Sequence, residues 1–113
     1  MDASASTHLL TYWVRDRGLM SIEAAIRRLT SDTALTFGID RGVLRVGAIA
    51  DLNVIDFDAL ALPVPEYRHD FPGGAGRFTQ RARGYDATVV NGEVFMEHGE
   101  HTGALAGRLL RGI

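Results

Sequence analysis

The stretch Gly42-Val-Leu-Arg-Val-Gly-Ala-Ile-Ala-Asp-Leu-Asn-Val-Ile-Asp-Phe57 is where the chain changes period. Upstream, apolar residues recur at helical spacing. Leu9, Leu10, Trp13 and Val14 predict a helix from a cap at Thr7 to about Asp16, ended by Gly18. Ser21 as N-cap, Glu23 in the first turn and Ile22, Ala25, Ile26 and Leu29 on one face predict a second. A third runs from Ser31 to Phe37, capped by Ser31 or Thr30 and stopped by Gly38. Inside the quoted stretch, Val43, Leu44 and Val46 lie between two glycines, and Leu52 to Phe57 is a β-branched run of strand length, so the chain moves into a sheet. Downstream, Asp86 to Val90 predicts a strand and Glu93 to Glu97 its return. Asn91-Gly92 between them is the turn, because both residues of a two-residue hairpin must tolerate positive φ.

Residues 63–84 hold all three prolines and four closely placed glycines, which predicts a long loop or extended arm with little regular structure of its own. Loops of that length are functional or belong to a surface supplied by another part of an assembly. The few short strands cannot bury both faces of a sheet under a helical pair, so the sequence points to a part of something larger. The expected fold is α+β, with helices over residues 1–40 and a partial antiparallel or mixed β-sandwich over 41–113.

At 113 residues the chain fits one core, and 46% hydrophobic with 23% charged residues is the composition of a soluble globular protein. No apolar run approaches the roughly 20 residues that span a bilayer, which excludes a helical membrane protein. Met1 to Thr7 carries neither a basic nor an apolar leader region, so the expected location is cytoplasmic. Without cysteine there is no disulfide, zinc ribbon or thiol nucleophile. The net charge of −2 is spread over both halves and gives no footprint for nucleic acid. All 12 basic residues are arginine, which reflects the base composition of the genome before it reflects chemistry.

Four residues are candidate metal ligands or acid–base groups: His69, Asp70, His98 and His101. His98 and His101 have H-x-x-H spacing beside Glu97 and Glu100, but they follow a predicted strand among glycines, where helical spacing does not hold and a solvated turn is the plainer reading. Asp70 beside His69 suggests an oriented imidazole, yet neighbouring side chains on an extended segment point to opposite faces. Gly73 to Gly84, with Arg77, Phe78, Arg81 and Arg83, has the composition of an anion- or RNA-contacting loop but matches no phosphate motif. Ser4, Ser6, Ser21 and Ser31 lie outside any G-x-S-x-G elbow. Tyr12 and Trp13 are read as helix packing. No residue is assigned a catalytic role.

Several segments carry a family resemblance. Gly42 to Phe57 resembles the G-x-L-x-x-G-x-x-A-D-h-x-h segment (h, apolar) by which metal-dependent amidohydrolases return from their barrel to a small β-sandwich. Ala87-Thr-Val-Val-Asn-Gly-Glu-Val94 and Thr102-Gly-Ala-Leu-Ala-Gly-Arg108 are similar to their closing hairpin and tail. Thr7-His-Leu-Leu-Thr-Tyr-Trp-Val-Arg-Asp-Arg17, Leu29-Thr-Ser-Asp32 and His69-Asp70-Phe71-Pro72 are similar to the N-acyl-D-amino-acid deacylase (D-aminoacylase) branch, with Thr33 departing where many relatives have proline. The resemblance covers nearly the whole chain.

It implies a parent with a (β/α)₈ barrel, in which a zinc-bound hydroxide attacks an amide carbonyl and an aspartate passes the proton to the leaving amine. The family's metal-ligand motifs would precede residue 1. Asp2-Ala-Ser4 is similar to the stretch just after the catalytic aspartate, so Asp2 does not inherit that role. The resemblance assigns residues 7–37 to the last barrel helices and 42–113 to the second half of the sandwich. It places zinc in the parent and no cofactor in this chain, which is expected to be inactive alone. The implied partners are the missing barrel and sandwich half, or further copies of the chain. Two alternatives are a free-standing interaction module and a subunit of a split amidohydrolase. A third is a small metal-binding hydrolase using His98 and His101.

Overall fold

In the computed structural model, which describes residues 4–111, the first helix begins at Ser4 rather than at Thr7. Helix α1 (Ala5–His8) runs directly into a π-helical segment (Leu9–Asp16). The Arg17 amide donates to the carbonyl of Tyr12, five residues back, at 2.9 Å. Thr7 lies inside this helix because its hydroxyl is committed elsewhere: it is buried, with Oγ1 2.7 Å from the Tyr85 phenol oxygen. Ser21 caps α2 (Ile22–Leu29) as expected, accepting from the Ala24 amide at 3.2 Å. Helix α3 (Ser31–Thr36) follows after one residue, and the Thr30 hydroxyl turns back to donate to the Ile26 carbonyl at 2.7 Å, closing α2 instead of opening α3. Helix α3 ends with the Ile39 amide on the Ala34 carbonyl and the Gly38 amide on the Leu35 carbonyl, a Schellman closure.

The strands are β1 (Leu52–Ile55), β2 (Glu66–Arg68), β3 (Arg77–Thr79), β4 (Tyr85–Val90), β5 (Glu93–Glu97) and β6 (Glu100–His101). One sheet has the order β1-β4-β5-β6 and the other pairs β2 with β3; every ladder is antiparallel, so nothing mixed is present among the described residues. Asn91 and Gly92 both take positive φ, 49° and 82°, and join β4 to β5 as expected. One expectation fails. Residues 43–46 form no strand: they have no pairing partner, and Leu44 and Val46 are 81% and 102% exposed. Residues 63–84 form an extended arm, one of the two forms expected, with more regular structure than expected, because β2 and β3 pair within them, with Tyr67 opposite Phe78.

Helices and sheet meet at one small core. Leu10, Val14, Ala25 and Leu60 are buried together, with Leu9, Met20, Ile22, Ile55, Phe57 and Tyr85 packed around them. Leu60 is fully buried, and the chain passes it so closely at Gly84 (φ 95°) that a Cβ there would stand 2.6 Å from the Leu60 Cα. Arg15 fixes the same segment by donating from Nη1 to the carbonyls of Phe57, Asp58 and Leu60 at 3.1, 3.4 and 2.7 Å.

That core is small for the chain. The accessible surface is 8622 Å², against roughly 6,100 Å² for a compact monomer of this mass. The radius of gyration is 15.7 Å, where about 13 Å is usual. Leu35, Phe37, Leu44, Leu105 and Leu109 are largely exposed. Among the described residues no helix is long and apolar enough to cross a membrane.

Gly84→Ala should lower stability by at least about 2 kcal/mol, from the left-handed backbone and the clash with Leu60 together. Gly47→Ala, also at positive φ but with open space around it, should lose only about 1 kcal/mol. Urea denaturation followed by circular dichroism separates the two.

Candidate functional site

The hairpin arm formed by β2 and β3 places His69 and Asp70 just beyond its first strand. The two side chains do not engage each other. Asp70 accepts a bidentate pair from Arg77, Nε at 2.6 Å and Nη2 at 2.8 Å, while the Arg77 guanidinium lies 4.9 Å from the Phe71 ring centre. His69 Nδ1 donates to the Gly74 carbonyl at 3.0 Å, and its ring meets Tyr67 edge-to-face at 5.1 Å. This is the alternation of an extended chain: the aspartate neutralises an arginine across the hairpin and leaves the imidazole to the turn. Hydrogen bonding from Arg77 holds the Asp70 carboxyl below the ordinary aspartate range, and the same bond raises Arg77. Glu66 is likewise lowered, first by its hydrogen bond from Arg68 at 2.7 Å and then by that residue's charge.

His98 and His101 are also apart in role. His98 (φ 47°) and Gly99 make the turn from β5 to β6, while His101 lies on β6 opposite Met96, edge-on to Phe95, and its Nδ1 accepts from the Gly103 amide at 3.1 Å. Helical H-x-x-H spacing therefore does not arise. Among the described residues no group of three or more His, Cys, Asp or Glu side chains is placed to hold a metal ion. Asp70 is held by Arg77, and among the described residues no third ligand joins any of these side chains, so the four candidates do not converge on a metal centre. Asp2 lies outside the described residues.

Several clefts among the described residues are of ligand size. The largest, about 680 Å³, lies against the sheet between Tyr85, Thr88, Met96 and His101. Another of about 600 Å³ lies beside α1, lined by His8, Leu9, Trp13, Leu62 and Gln80. Trp13, read from sequence as packing, is 40% exposed there, edge-to-face with Tyr12. A smaller cleft of about 250 Å³ is lined by Arg81 and Arg83 with Pro63, Val64, Glu66, Thr79 and Ala82. Arg15 and the Thr7–Tyr85 contact escaped the sequence reading, since a lone arginine on a helix gives no sign that three carbonyls of a distant loop await it.

Helices feed an antiparallel sheet through residues 42–57, and among the described residues no ligand set converges. The chain belongs to the amidohydrolase family, whose model matches residues 1–96. It is 35% identical over 103 residues to the D-aminoacylase of Alcaligenes xylosoxydans xylosoxydans, covering 90% of this chain and 19% of that protein. It is 44% identical over 55 residues to the N-acyl-D-glutamate deacylase of the same organism, covering 48% of this chain and 11% of the relative. A D-aminoacylase structure concerned with the functional role of that enzyme's binuclear metal centre superposes with a TM-score of 0.75 at 34% identity, over 94% of this chain and 21% of the other. The chain thus spans about a fifth or less of the length of these relatives.

Because the folded Asp70 value is lowered, its contribution to the arm is fully present above the ordinary aspartate value and is lost as pH falls through the lower folded value. Acid titration followed by the Tyr67 and Phe78 ring resonances should show the arm loosening in that window. Asp70→Asn should abolish the acid transition and leave the arm loosened at neutral pH.

Proposed function

We propose that this chain is the C-terminal packing unit of a zinc-dependent deacylase acting on N-acyl-D-amino acids. The likeness to D-aminoacylase over 94% of the chain, at 34% identity, carries this reading. Residues 7–37 serve as the last barrel helices and 42–113 as the second half of the flanking sandwich. The exposure of Leu35, Phe37 and Leu44 supports this, because apolar side chains on the helices and on the strand-less return segment are what a neighbouring layer would cover. In an intact parent the zinc would activate water for attack on the amide carbonyl. In this reading the metal ligands and the proton-transfer group belong to the rest of the parent, and no metal-binding group of side chains occurs among the described residues. The residues of this chain hold the helix ends against the sheet, through Arg15, Leu60 and the Thr7–Tyr85 contact, and so fix the frame on which the barrel closes. In the absence of that barrel the partner is a second copy, through the same apolar faces.

The test is an assay of the purified 113-residue chain against N-acetyl-D-amino acids with and without added zinc. The expected result is no metal-dependent release of free amino acid. Turnover that needs zinc and disappears in His98→Ala/His101→Ala would replace this reading with that of a small hydrolase.

A further inference from the structure

The pairing of the hairpin arm is interrupted in one place, and the interruption is rich in donors. The β2–β3 ladder ends at Glu66 opposite Thr79, and pairing resumes at Ala61 opposite Arg83, where both backbone bonds form, at 3.1 and 2.9 Å. The two registers are out of step by one residue, so the intervening segments bulge apart. Pro63 and Pro65 prevent closure because neither has an N–H to give. Among the described residues, the Gln80 side chain alone reaches across, donating to the Pro63 carbonyl at 2.8 Å. The amides of Arg81 and Ala82 have no backbone partner among the described residues.

The cleft left by this bulge is the one of about 250 Å³, lined by Thr79, Arg81, Ala82 and Arg83 on one side and Pro63, Val64 and Glu66 on the other. Neither Arg81 nor Arg83 is in an ion pair among the described residues, whereas Arg15, Arg27, Arg41, Arg45, Arg68 and Arg77 all are. The one lining carboxylate, Glu66, has its Oε2 held by two hydrogen bonds from Arg68 at 3.1 and 2.7 Å, and the charge of Arg81 also acts on it, more weakly. Arg81, Arg83 and the Thr79 hydroxyl thus line a small space whose remaining wall is Pro63, Val64 and Ala82, with Glu66 at one side.

We propose that this cleft binds a small aliphatic carboxylate, with the carboxylate on Arg81 and Arg83 and the alkyl group against Pro63, Val64 and Ala82. Planar guanidiniums suit the two oxygens of a carboxylate, and the proline-lined wall suits a short branched chain better than a hydrated phosphate. The site is independent of the deacylase reading, since it needs neither metal nor barrel.

Saturation-transfer NMR on the 113-residue chain tests it with isovalerate as the probe, with isoamyl alcohol as the uncharged analogue and inorganic phosphate as competitor. Saturable isovalerate binding with a dissociation constant on the order of millimolar is expected, with no saturable binding of the alcohol. Arg81→Gln/Arg83→Gln should weaken it by about tenfold or more, as loss of charge-assisted hydrogen bonds requires. The proposal is overturned if isovalerate does not saturate, if the alcohol binds equally well, if the folded double variant binds as tightly as the parent, or if phosphate displaces isovalerate at equal concentration. Should the double variant fail to fold, the comparison of isovalerate with the alcohol and phosphate on the unaltered chain still decides.

Discussion

The described structure depends on how residues 57–60 are held between the helices and the sheet. Leu60 is fully buried, Arg15 gathers three carbonyls around it, and Gly84 lets the chain run past its backbone within contact distance. Arg15 reaches all three carbonyls from the one nitrogen Nη1, and any side chain at Gly84 would push the β4 strand away from Leu60. Thr7 and Tyr85 add a hydrogen bond across the same seam. The helices and the sheet have little else in common, so this contact determines their arrangement.

So small a seam cannot stabilise a chain of this length by itself. Burying apolar surface is the dominant favourable term in folding, yet most large apolar residues outside the seam remain substantially exposed. The excess of surface over that of a compact monomer of equal mass is of order 40%. The exposed apolar residues run along the described chain, on helices, strands and connections alike. Leu35 and Phe37 follow one another at the end of α3, and Leu44 and Val46 lie on the segment that leads to β1. Such faces are what a neighbouring layer would cover, and in the proposed function the barrel would be that layer.

Local chemistry made much of the fold legible in the sequence. Ser21 caps α2 because its hydroxyl has a free amide three residues on, and Asn91-Gly92 makes a hairpin because both residues accept positive φ; neither depends on distant contacts. The failures arose where distant contacts decide. Thr7 looked like a cap, but its hydroxyl meets Tyr85, 78 residues away. Residues 43–46 have the composition of a strand but no neighbour to pair with. Prolines and glycines hid the β2–β3 hairpin, which is held by an aromatic pair and the Asp70–Arg77 ion pair. The candidate metal ligands were marked by residue type alone, and their actual partners are an arginine and backbone groups.

The claim that the exposed apolar faces lack their covering layer is tested most directly by light scattering on the 113-residue chain over a wide concentration range. Reversible, concentration-dependent association is expected, shifting toward monomer in Leu35→Ser/Phe37→Ser with helix content retained. A well-dispersed monomer at every concentration, unaltered by that substitution, would contradict it.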